Sequence, residues 1–146
     1  MSSQDYRDSK EYKKGIEVHA SKYEPQKGKP FDALYEFSPH LADVIIAHGL
    51  GDIWVNKTAS LSVPMKEVVV LSSLITSCTV HSEIKAHTQC MLNVGITKEQ
   101  IKELLVLLTL YIGVPKVVVA KRLIEEAFNE YDAARAKKSD GIVSEG

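Results

Sequence analysis

Apolar residues recur at three- and four-residue intervals through most of this chain, and no segment reads convincingly as an alternating, half-buried strand, so the pattern is one of helices. Leu41, Val44, Ile45 and Ala47 mark one helix, opened by Ser38 as N-cap with Pro39 at the first helical position and stopped, on this reading, by Gly49 and Gly51. Ser62 and Pro64 open a second over 63–77. Its run Val68, Val69, Val70, Leu71, Leu74, Ile75 would suit a buried strand, but about fourteen apolar-rich positions exceed a typical strand. A third helix, carrying His87, ends at Gly95, a natural residue for the position just past a helix. Thr97 with Gln100 forms a capping box for a fourth, running to about Ile112. A fifth follows Pro115, with Val117, Ala120, Ile124, Ala127, Phe128 and Tyr131 at helical spacing, and the polar tail from Asp132 is expected to fray. Before all of these, Tyr6 to His19 reads as a charged surface helix, and K-Y-E-P-Q-K-G-K-P over 22–30 breaks regular structure as a connector.

The predicted fold is therefore all-α, a single domain over 1–146 with an N-terminal helix and connector at 1–30 and a polar tail at 132–146. The chain of 146 residues can bury a real core. A net charge of -1 without a basic block argues against nucleic acid as the main partner. The opening M-S-S-Q-D-Y-R-D-S-K lacks an apolar leader, and the longest apolar run falls far short of the roughly 20 residues a membrane helix needs. A soluble, cytoplasmic protein is expected, with Cys78 and Cys90 as thiols and not a structural disulfide. Two helices, 63–77 and 101–112, are apolar nearly all round. In so small a protein only one or two helices can be surrounded by the rest of the chain, so such helices predict that subunits cover one another in a homo-oligomer.

The candidate chemistry lies in C-T-V-H-S-E-I-K-A-H-T-Q-C. Glu83 and His87 are four apart and Cys90 extends the row, so one carboxylate, one imidazole and one thiol share a helix face. A carboxylate so placed can orient an imidazole, whose ordinary pKa of about 6.5 suits proton exchange or polarisation of a bound carbonyl. The same residues also have a bland reading, since E-x-x-x-H is common and a buried histidine is usually a satisfied core residue. His81 lies on another face and reads as a surface residue. A metal site built from Cys78, His81, Glu83 and His87 matches neither H-E-x-x-H nor a paired C-x-x-C, so no metal is expected. Cys90 beside His87 could be an activated thiolate or a small buried residue.

The segments H-G-L-G-D-I-W at 48–54, E-I-K-A-H at 83–87, N-V-G-I-T at 93–97, and I-K-E-L-L with L-Y-I-G-V-P across 101–115 resemble the carboxymuconolactone decarboxylase family, relatives of alkylhydroperoxidase D. The likeness covers about residues 31–131 and is nearest to the 4-carboxymuconolactone decarboxylase branch. It implies an alkylhydroperoxidase D-like helical subunit in a trimer or hexamer, with sites walled partly by neighbouring subunits. It also implies a cofactor-free lyase acting on a small carboxylate-bearing lactone. In that chemistry His87 is the proton donor or oxyanion partner, Glu83 orients it, His48 holds a carboxylate or moves a proton, and Trp54 supplies an apolar wall. Trp54 as a core anchor, and His48 as a partner of the last carbonyls of its helix, are the structural alternatives. The peroxidase branch carries C-x-x-C three residues before the same His, positions filled here by Val80 and Glu83. Two positions depart from the decarboxylase pattern: Glu67 stands where an Arg is usual, and Leu107 where a His is common. Glu67 would face the substrate as a carboxylate, or simply compensate the dipole in the first turn of its helix, and Lys66 is the nearest replacement cation. The readings are a lyase, a thiol-dependent peroxidase or disulfide reductase using Cys78 or Cys90, and a non-catalytic small-molecule binder.

Overall fold

Ser38 accepts a hydrogen bond from the Leu41 N–H at 3.2 Å, with Pro39 at the first helical position, so the predicted start is where the chain begins to coil. The computed structural model describes residues 6–22, 31–55 and 60–143. Among them every regular element is helical: a 3-10 turn at Tyr6–Asp8, α1 at Lys10–Lys22, α2 at Asp32–Phe37, α3 at Pro39–Ala42, a π-helix at Asp43–Ile53, α4 at Val63–Ser77, α5 at His81–Asn93, α6 at Lys98–Ile112 and α7 at Val114–Val143. The chain forms two compact units, residues 1–63 and 64–146.

In the first unit α1 lies against the π-helix, around Tyr12, Ala42, Ile46 and Ala47. Two glycines make the approach. A Cβ on Gly15 would overlap the carbonyl oxygen of Ile46, and one on Gly51 would overlap that of Glu11. Gly49 and Gly51 thus do not stop the helix, as the sequence pattern had it. The turns widen instead into a π-helix, with the Trp54 N–H bonded five residues back to the Gly49 carbonyl at 3.1 Å. Nor is α1 a purely surface helix, since Tyr12, Gly15 and Lys22 are buried. The helix α2 has no counterpart in the predicted elements, and most of the predicted connector lies outside the described residues.

The second unit follows the sequence signals closely. The helix α4 spans the range predicted for it. Past α5, the Ile96 N–H bonds the Met91 carbonyl at 2.9 Å and the Gly95 N–H bonds that of Leu92 at 3.2 Å, with Gly95 at φ +91. That is a Schellman ending, and it requires a residue tolerant of left-handed geometry. Thr97 and Gln100 then exchange both bonds of the capping box. The core joins Leu71 and Ile75 of α4, Ile84 and Met91 of α5, Ile101 and Leu105 of α6, and Ala120 and Ile124 of α7. Each large aliphatic side chain so buried contributes about 1.5–3 kcal/mol before entropy is counted. Lys85 of α5 ties to α7 at the surface through Glu130 at 2.5 Å and Glu126 at 3.4 Å, and the Glu130 hydrogen bond is the main cause of its raised pKa. The helix α7 does not fray at Asp132 but continues to Val143. The stretch A-A-R-A-K-K is made of strong helix formers, and Asp132 is held by Lys98 at 2.6 Å.

Candidate functional site

Glu67, Leu71 and Ile75 follow one another at four-residue spacing along α4, and all three are completely buried. Two of them belong in a core. The carboxylate of the third needs a partner there, because an unpaired buried charge is costly. That partner is His87 of α5, whose Nδ1 lies 2.8 Å from Glu67 Oε2. A carboxylate in its ionised form only accepts, so the tautomer that matches it has the hydrogen on Nδ1 and leaves Nε2 as the nitrogen able to take or pass a proton. The His87 side chain keeps 15% of its surface exposed while Glu67 keeps none, so a substrate can reach the ring but not the carboxylate that orients it. Cys90, one turn further along α5, is fully buried, and its Sγ, a carboxylate oxygen of Glu67 and a ring nitrogen of His87 all lie within 4.8 Å of one another.

The other residues singled out from the sequence fall elsewhere. Glu83 occupies the first turn of α5, one turn from His87 as the spacing predicts, but its side chain is exposed and the carboxylate hydrogen-bonded to His87 Nδ1 is that of Glu67. Glu67 sits in the second turn of α4, whose first turn holds no acidic residue, which overturns its reading as a dipole-compensating group. His48 lies in the π-helix of the first unit, 63% exposed, with Nδ1 3.5 Å from Asp52 Oδ2. Trp54 closes that π-helix, and the ammonium of the buried Lys22 stands 3.5 Å from its ring centroid, a cation–π contact taken out of water. His81 is exposed at the start of α5. Cys78 follows α4 in the left-handed region at φ +56.

A groove of about 440 Å³ opens between α4, α5 and α6. Its walls are mainly apolar, including Val68, Met91, Leu104 and Leu107, with Gln100 and Glu103 as polar members. Leu107 faces this groove and adds apolar surface to it.

The partnership of Glu67 with His87 was missed because it joins two helices twenty positions apart. One signal for it was present: a carboxylate on the buried stripe of an apolar helix, where only a paired charge is at ease.

Comparison with known proteins bears on what this pair is for. The chain is 26% identical over 131 residues to the 4-carboxymuconolactone decarboxylase of Acinetobacter baylyi, an alignment that takes in 89% of this chain and 96% of that protein. The sequence pattern of the carboxymuconolactone decarboxylase family matches residues 39–126, which contain both Glu67 and His87. With that match across most of α3 to α7 and an all-helical fold, the chain belongs to the carboxymuconolactone decarboxylase family.

Proposed function

We propose that the protein is a cofactor-free carboxy-lyase that decarboxylates a small carboxylated lactone or oxo-acid, with His87 as its proton-transfer group. The observation that carries this reading is the 2.8 Å contact between a fully buried Glu67 and a partly exposed His87, inside the matched region. For a lactone such as 4-carboxymuconolactone, the bond to the departing carboxylate breaks as CO2 leaves. Its electrons form a new ring double bond, the original double bond shifts them toward the lactone carbonyl, and the α-carbon takes one proton. Protonated His87 supplies that proton from Nε2 or steadies the enolate oxygen, while Glu67 holds Nδ1 and fixes the plane of the ring. Glu83 is exposed in the first turn of α5, and the carboxylate on the imidazole is that of Glu67.

The same reading proposes a homo-oligomer, a trimer or hexamer. Val106, Leu110 and Tyr111 of α6 and Val114 and Val118 of α7 are exposed apolar side chains that neighbouring subunits would cover. A second reading, thiol-dependent peroxidase chemistry, draws on the closeness of Cys90 to His87. The complete burial of Cys90 speaks against it, because a peroxide must reach the sulfur.

The test is turnover of 4-carboxymuconolactone by the purified protein. His87→Ala should lose about 10²- to 10⁴-fold in kcat, the usual worth of a positioned acid–base group. His87→Gln keeps a hydrogen-bonding group without proton transfer. A Gln variant with full activity would reduce His87 to an oxyanion partner, and no turnover by the parent protein would refute the substrate.

A further inference from the structure

We propose that Glu67, His87 and Cys90 form a binding site for a soft divalent cation of the zinc class. The donors come from two helices, α4 and α5, and converge within 4.8 Å in a region where Glu67 and Cys90 have no exposed surface. Four-coordinate zinc, with bonds of about 2.0–2.3 Å, holds its ligand atoms roughly 3.3–3.7 Å apart, so small side-chain shifts complete the geometry. The 2.8 Å hydrogen bond between His87 and Glu67 opens slightly, and the cation takes the place of the hydrogen they share.

Charge and chemistry select the ion. One carboxylate, one thiolate and one neutral imidazole around a dication make a centre of zero net charge, the arrangement a buried site tolerates best. Calcium and magnesium need six or more oxygen donors, whereas thiolate and imidazole favour zinc and its close substitute cobalt. Three protein ligands leave the fourth position of a tetrahedral ion to water. The spacing within α5 could not show this set, because its carboxylate comes from α4. The cation displaces the Nδ1 hydrogen that the lyase reading uses, so a loaded site and an active lyase are alternatives at His87, and cation binding is measured without substrate.

The full-length protein, stripped with a chelator, is titrated with Co2+ and then with Zn2+. One equivalent of Co2+ should give a near-ultraviolet thiolate-to-cobalt charge-transfer band together with visible bands of tetrahedral intensity, and Zn2+ should displace both. Cys90→Ser should abolish the charge-transfer band, and His87→Gln should weaken cobalt binding by more than the about 100-fold upper range for outer-shell changes. Cys78→Ser should change neither. Circular dichroism of each variant checks that the helices remain, and His87→Gln decides the matter where Cys90→Ser does not fold. No charge-transfer band in the parent protein, or one lost in Cys78→Ser and kept in Cys90→Ser, overturns the site.

Discussion

Replacing Glu67 by Gln removes one charge from the centre of the second unit and almost nothing else. The side chain keeps its volume, so the packing of Leu71 and Ile75 on the same stripe of α4 is undisturbed. What changes is the group facing His87 Nδ1, now 2.8 Å from an ionised oxygen. A charge-assisted hydrogen bond contributes about 1.5–3 kcal/mol. Were all of it felt in the transition state, at 1.36 kcal/mol for each tenfold, kcat should fall by about 10- to 150-fold. Glutamine can also turn its amide NH2 toward Nδ1, which selects the tautomer with the hydrogen on the wrong nitrogen and pushes the loss to the upper end. Stability should move far less, by about 1 kcal/mol, because the exposed edge of His87 can take up water. The assay pairs decarboxylation kinetics with urea denaturation. Parental kcat in Glu67→Gln, with His87→Ala inactive, would show that the pair is structural. Equal losses of kcat and stability would show that the variant is misfolded.

Three further outcomes are expected. Cys78→Gly should stabilise the protein by up to about 1 kcal/mol, because Cys78 sits at φ +56 where a side chain is strained; a thermal midpoint no higher than that of Cys78→Ala would refute it. Burial, reinforced by the charge of Lys22, lowers the pKa of His19 below 6.5 in the folded state, so on acidification the unfolded chain binds this proton first. The contribution of His19 is therefore complete above about pH 6.5 and lost as the pH falls through the folded value, and His19→Gln should flatten the change in urea midpoint between about pH 7.5 and about pH 5.5. Leu110 and Tyr111 are 80% and 77% exposed, so light scattering should give a mass several times 16.2 kDa, and Leu110→Glu with Tyr111→Lys should reduce it; a parent protein that runs as a monomer would refute the assembly.

Signals contained within one helix were legible in the sequence, and signals that join two helices were not. Ser38, Thr97 with Gln100, and Gly95 act over three or four residues, and each appears in the structure with its expected hydrogen bonds. Gly49 and Gly51 mislead because a glycine can serve a chain break or a close approach. Which of the two holds depends on what lies opposite, here the Glu11 backbone of α1. The site repeats the lesson. Periodicity placed His87 and Cys90 on one face of α5 and offered Glu83 as their carboxylate, the only acidic residue in reach along that helix. Solvent decides otherwise: an exposed carboxylate such as Glu83 gains little by pairing with an imidazole, whereas one without access to water, such as Glu67, must be paired to be tolerated at all. Glu67 stands behind the imidazole without exposed surface, so under the proposed lyase reading its charge orients the histidine from within and does not face the substrate.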